Sequence, residues 1–308
     1  MNNKTPEWYR IAALRRFAVS ITLLNVLGHT LLGFEQSWAQ PLVSLVAAYS
    51  MEILLEIVDA TTNRRAVKFR GGLSRLIDFL LPAHIAGLAV AMLLYANELL
   101  LPVAFASATA IASKAIFCTA ARFGTKHFLN PSNFGITLTL WLFPFVGISP
   151  PYHFTENLGA VGDWALPGLI VVSGSLLHAT LGKRLPLVAA WLIAYMVQAL
   201  VRNLIFETSL VAALVPMTGV AFILFTFYMI PDPATTPVRP AHQMAFGTAV
   251  AFVYGVLVTC HVVFGLFFAL TFVCAGRGLF LYVHAWLLKR ATEQLTMDAP
   301  VFIGKRSQ

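Results

Sequence analysis

Charge is scarce in this chain. Asp, Glu, Lys and Arg make up 11% of its 308 residues, against roughly a quarter in soluble domains. Apolar residues make up 58%. That shortage excludes a soluble globular protein and gives an integral, polytopic membrane protein whose first partner is the lipid bilayer. The net charge of +8 then reads as loops facing an anionic cytoplasmic leaflet, with no nucleic-acid partner. Cysteine is scarce too: Cys118, Cys260 and Cys274 are isolated in apolar surroundings. Without a CxxC pair, neither an iron–sulfur nor a zinc site is signalled, and no metal is expected. Walker and Rossmann loops are missing, as is any soluble catalytic stretch. Residues 1–16 are polar and basic, and no small-residue cleavage site follows the first apolar run, so no cleaved signal peptide is expected.

What the chain has is long apolar runs. A span needs about 20 mostly apolar residues. That ruler gives five spans at 17–34, 42–58, 76–95, 99–120 and 133–148, and five more at 164–181, 185–204, 210–230, 244–260 and 265–288. The loops alternate in charge. Lys and Arg concentrate in the N-terminus, the even-numbered loops (Arg64, Arg65, Lys68, Arg70 and Arg75; Arg122 and Lys126; Lys183 and Arg184; Arg239) and the C-terminal tail. The odd loops carry Glu35, Glu98, Glu156, Asp163 and Glu207 and essentially no cations. This alternation predicts ten helices with both termini cytoplasmic, in a cell (inner) membrane. The organisation is a basic N-terminus at 1–16, five-helix halves at 17–149 and 164–288, and a cytoplasmic tail at 289–308. Five is odd, so a duplicated half is inverted. Leu81-Pro82 followed by Gly87, and Val215-Pro216 followed by Gly219, sit at matching places in the two halves. Each reads either as a broken helix lining a cavity or as an ordinary proline kink.

Polar residues inside the apolar layer are the candidates for chemistry. Glu52 and Glu56 share one face of the second span at i, i+4, Asp78 opens the third, and Lys114 lies in the fourth. They read as a cation or proton path, or as interhelical ion pairs such as Glu52 or Glu56 with Lys114. Arg277 lies within the tenth span and needs a partner. His29, His84, His178 and His284 scatter in depth and do not share a helix at haem-ligating spacing, so no haem is expected. Two loops stand out. Asn130-Pro131 reads as a turn or helix start, with Asn133 and Gly135 entering the bilayer region; a helix N-terminus there suits an anionic or carbonyl group, or is simply a cap. Pro231-Asp232-Pro233-Ala234-Thr235-Thr236-Pro237 has three prolines in seven residues and cannot continue a helix.

Together these loops resemble a known family. Phe128-Leu129-Asn130-Pro131 with Gly135 resembles the "FNPA…G" segment of the RnfD/NqrB family, the membrane subunits of ion-pumping, flavin-containing electron-transport complexes. Asp232-Pro233-Ala234-Thr235 with Phe246-Gly247 is similar to that family's "DPVT…FG" segment. The resemblance implies an all-α fold of two inverted five-helix repeats, similar to urea transporters, and partner subunits of a membrane redox complex. It also implies flavins: an FMN on a threonine after the fifth span, and a noncovalent riboflavin. This chain departs at the first. Its loop at 149–163 is short, with a lone Thr155 in Phe-Thr-Glu-Asn, and Ser173-Gly174-Ser175 falls inside a span. Covalent FMN is therefore expected to be absent. A noncovalent riboflavin or FMN is expected between Pro82–Gly87 and Pro216–Gly219, with Asn130, Asn133, Gly135, Asp232 and Thr235 bracketing it. Shortened relatives of this kind resemble RnfD-like proteins of enediyne and polyketide gene clusters, which implies biosynthetic partners as an alternative. A small-molecule transporter on the same scaffold is the rival reading.

Overall fold

A computed structural model describes residues 6–121, 124–179 and 183–297. Arg122 and the cations at the extreme termini, Lys4, Lys305 and Arg306, lie outside the described residues. The chain is helical nearly throughout. Helix α1 (Pro6–Leu27) runs on into a π-helical turn, Gly28–Leu32, ended by Gly33 at φ 100°, a left-handed conformation that glycine adopts freely. Then come α2 (Ala39–Thr62), α3 (Leu73–Leu93), α4 (Leu100–Ile116), α5 (Pro131–Leu142), α6 (Ala160–Leu177) and α7 (Leu185–Phe206). Short α8 (Leu210–Leu214) and α9 (Val220–Leu224) are followed by long α10 (Pro240–Thr259) and α11 (Gly265–Met297). Among the described residues, seven helices are long and apolar enough to cross a membrane, or eight if the bent α8–α9 pair is one span. Large side chains such as Leu23, Val46, Leu101 and Phe252 lie exposed on their outer faces, where only lipid can cover them. The chain is a multi-pass, predominantly helical membrane protein.

Several boundaries differ from the sequence reading. Residues 6–16 are already helical: α1 starts at Pro6, where a missing N–H costs nothing, and Arg15 binds Asp78 of α3. The tail from 289 is helical as far as Met297, because no glycine or proline follows Gly278 in that stretch. The fourth apolar run ends its helix at Ile116 and turns into a hairpin of β2 (Cys118–Ala121) and β3 (Gly124–His127). The fifth is helical for only 12 residues. Its last part forms β4 (Gly147–Ile148), paired antiparallel with β1 (Leu94–Tyr95). The two proline sites differ from each other. Pro82 sits inside an unbroken α3. Val215-Pro216 breaks its span: a 3₁₀ turn, Val215–Thr218, leads to an extended Gly219, and the chain bends by 69°. Proline removes a helical donor in both, but only the second is followed three residues later by a glycine that leaves the helix.

Packing has a repeated logic. In the first half α2 packs on α3 and α4, α4 on α5, and α1 on α3. In the second, α7 packs on α10, α10 on α11, and α6 on α9 and the π turn after it. The halves meet where α5 touches α11. The loops also fall into two bonded groups. Gln36 donates to the Leu94 carbonyl, Gln40 to that of Asn97, Ser149 to that of Met92, and the Asn157 N–H to that of Leu32. The other group joins Arg15 to Asp78, Lys126 to Pro233, Gln243 to Lys183, and Tyr282 to Cys118. The first group connects odd-numbered loops and the second connects even-numbered loops with the terminal helices.

Candidate functional site

The two singled-out loops, about a hundred residues apart, meet in space. Asn130 is the N-cap of α5: its Oδ1 accepts from the Asn133 N–H at 3.1 Å and from Ser132 Oγ at 3.1 Å. Asn is among the strongest cap residues, because its short side chain reaches an orphan N–H. Its amide is not spent on the cap alone, since Nδ2 donates to the Met229 carbonyl at 3.0 Å, at the end of the broken span. The loop at 231–237 begins there. Asp232 closes a turn on itself: Oδ1 accepts from the Ala234 N–H at 3.0 Å and Oδ2 from the Thr235 hydroxyl at 3.2 Å. Its own carbonyl takes the N–H groups of Thr235 and Thr236 and the Thr236 hydroxyl. Aspartate before proline favours such a turn because its carboxylate replaces a backbone acceptor.

Three cations from three elements point into this loop. Lys126, on β3, donates to the Pro233 carbonyl at 3.2 Å. Arg184, capping α7 and buried, donates Nε to Thr236 Oγ1 at 3.0 Å. Arg277 of α11 donates to the Thr235 carbonyl at 2.8 Å, which is the partner its place in an apolar helix requires. Burial lowers the pKa of Arg184 and Asp232 opposes that shift. Lys126 is an exposed residue, yet partial burial and then Arg277 pull its ammonium below the ordinary value, with Asp232 again opposing. Charge here is held against a desolvation penalty.

Next to the junction, Asn133 donates Nδ2 to the Phe267 carbonyl at 3.0 Å and to Thr271 Oγ1 at 2.8 Å, tying α5 to α11. Its Oδ1 is buried and has no protein partner. Gly135 lies where α4 comes closest: a Cβ there would meet the Ala106 carbonyl oxygen at 2.2 Å. Gly87 similarly lets α3 sit on α2, its carbonyl accepting from Ser44 Oγ at 2.6 Å. Gly219 is the extended cap of α9. Of the two proline sites, only that of Gly219 is an interruption.

The four charges read as a path or as ion pairs each have a partner. Lys114 binds Glu52 at 2.5 Å between α4 and α2. Arg65 binds Glu56 at 2.5 Å, and Lys68 adds both its N–H and its ammonium. Arg15 holds Asp78 through two hydrogen bonds of 2.7 and 2.8 Å. His29 and His178 bond the carbonyls of Asn25 and Phe227. His84 joins a chain: Thr22 gives its proton to the Ala18 carbonyl, so His84 Nε2–H donates to Thr22 and Nδ1 accepts from Tyr49. His284 stacks on Phe280.

Sequence reasoning noticed Lys126 and Arg184 as loop charges and Arg277 as a cation that needs a partner. Each carries a local signal, a cation at the edge of or within an apolar run, but their convergence is a tertiary fact. It missed His153 altogether: this fully buried ring stacks on Phe34 at 3.9 Å, and burial pushes its pKa down to about 4. Compared with models of known protein families the chain matches none, and no curated protein matches it.

Proposed function

We propose that this chain is a membrane subunit of the RnfD/NqrB type, working in transmembrane electron transfer with partner subunits and a noncovalent flavin. The observation that carries the reading is the junction itself. The two segments that bear the resemblance, around Asn130 and Asp232, are joined by the bond from Asn130 to the Met229 carbonyl and by that from Lys126 to Pro233. The scaffold is ten membrane segments in two inverted halves. Matching helix pairs pack in each half (α2 on α4 as α7 on α10, α4 on α5 as α10 on α11, α1 on α3 as α6 on α9) and support it. So do the two loop groups, since every bond named within each group joins ends that the charge alternation puts on one side.

Two features fit a flavin. Asn133 Oδ1 is a buried acceptor without a donor, suited to a ring N–H, and the three cations suit a phosphate or an anionic reduced ring. Gly87 and Gly135 fit helix packing instead, because neighbouring helices fill the space beside them. A flavin would supply the one- and two-electron chemistry. The chain's part is to place an acceptor amide and positive charge at the junction. The test is a visible spectrum of the purified, detergent-solubilised protein, followed by chromatography of the acid-extracted supernatant. Absorbance near 450 nm (a general flavin property) and about one flavin per chain are expected. A colourless protein with no extractable flavin would sink the redox reading for the isolated subunit.

A further inference from the structure

We infer that the junction of Lys126, Arg184 and Arg277 binds a phosphate monoester presented from the side of the membrane that its loops face. The inference deepens the reading above by naming the ligand chemistry of the same junction, and it stands on a separate balance of charge. Three cations converge on the loop at 231–237, yet the group each one touches there is a neutral oxygen: the Pro233 carbonyl, the Thr236 hydroxyl and the Thr235 carbonyl. Among the described residues, the carboxylate at the junction is that of Asp232, and it is committed to an N–H and a hydroxyl of its own turn. Among the described residues no ion pair joins it to any of the three cations. Nearby, Glu52 and Lys114 neutralise one another. Three positive charges against one negative leave about two uncompensated, the charge that a phosphate monoester carries near neutral pH.

The geometry suits that ligand. The loop's oxygens hold cations from β3, the start of α7 and the middle of α11, so all three are already placed at the loop when an anion arrives. Two are arginines, whose planar forks match phosphate oxygens two at a time. With Nε of Arg184 and one terminal nitrogen of Arg277 tied to the loop, each guanidinium has further N–H groups to offer. The positive N-terminal ends of α5 and α7 lie at the same junction. The phosphate could sit on a soluble ester or on a lipid headgroup, and the recognition chemistry is the same.

Full-length protein in phosphatidylcholine nanodiscs is titrated with flavin mononucleotide and with riboflavin, which differ only in the phosphate. Its thermal unfolding is then compared with that in nanodiscs containing phosphatidic acid. If the ester is soluble, the mononucleotide binds about tenfold tighter than riboflavin, and the preference shrinks with salt. If it is a lipid, phosphatidic acid raises Tm without a preference between the two flavins. Either effect falls in Arg184→Gln and Arg277→Gln. It grows in Asp232→Asn, which keeps an acceptor for the Ala234 N–H while removing the opposing charge, a response that a stapling role for the cations does not produce. Equal binding of the two flavins together with indifference to phosphatidic acid overturns the inference, as does a weaker phosphate effect in Asp232→Asn. A protein that retains flavin but ignores phosphate keeps the redox reading and loses this one. Phosphate binding without flavin does the reverse.

Discussion

Glu52 and Lys114 show how a single pair divides a functional reading from a structural one. They meet at 2.5 Å across α2 and α4, with side chains 16% and 18% exposed. Removing one partner strands a charge in a poorly solvated place, which costs about 3 to 5 kcal/mol. Removing both leaves two apolar stems facing each other and costs far less. Glu52→Leu and Lys114→Leu should therefore each lower Tm markedly, and the double variant should recover most of the loss. The measurement is a double-mutant cycle of thermal unfolding in one detergent. Additive losses would mean that the pair contributes nothing by contact, and the two residues would return to being candidates for a path.

At the scale of elements, close approach decides. Helix α5 has only 12 residues, too few to cross a bilayer about 30 Å thick at 1.5 Å per residue. It is held by α4 on one side and α11 on the other. The side toward α4 depends on Gly135, where an added Cβ would meet backbone oxygen at 2.2 Å. Backbone cannot step aside as a flexible side chain can, so Gly135→Ala should destabilise by about 1 to 3 kcal/mol. Gly276→Ala in α11, where nothing lies within 4 Å of the added atom, should be neutral or slightly stabilising. Comparing the two by thermal unfolding checks the contact, and equal effects would contradict it. This contrast also marks how much of the molecule could be read in advance. Among the described residues, seven of the ten apolar runs became helices long and apolar enough to cross a membrane and an eighth became the bent α8–α9 pair, because hydrophobicity over some 20 residues is a strong local signal. The shortness of α5, the hairpin at 118–127 and the unbroken α3 were not legible, since each depends on what packs alongside. Pro82 and Pro216 look alike in sequence and differ only in whether the chain leaves the helix afterwards. For the site, Asn130 and Asp232 announced themselves through proline-flanked turns. The meeting of Lys126, Arg184 and Arg277 could not be read, because no local pattern encodes which cations share a neighbour.

The whole molecule makes one demand that its own cysteines can test. If the ten segments alternate and both ends face the cytoplasm, Cys260, exposed at the end of α10, opens to the external side. On the same arrangement Cys118, half-buried at the start of β2 and next to Tyr282 and the junction, would open to the cytoplasmic side. Cys274 is buried within α11, and its thiol is covered by protein. A membrane-impermeant maleimide added to intact cells, or to spheroplasts where an outer membrane blocks access, should therefore label Cys260 alone. Permeabilisation should add Cys118, and Cys274 should react only after unfolding. Cys260→Ser identifies the first signal and Cys118→Ser the second. The junction depends on this orientation, because Asn130, Lys126, Asp232 and Arg184 all belong to loops on the side of Cys118. Early labelling of Cys118 with protection of Cys260 would invert the protein and turn the cation-rich junction to the outside. Labelling of both from one side would mean that an even number of segments crosses between them, which would remove the odd helix count that makes the two halves inverted.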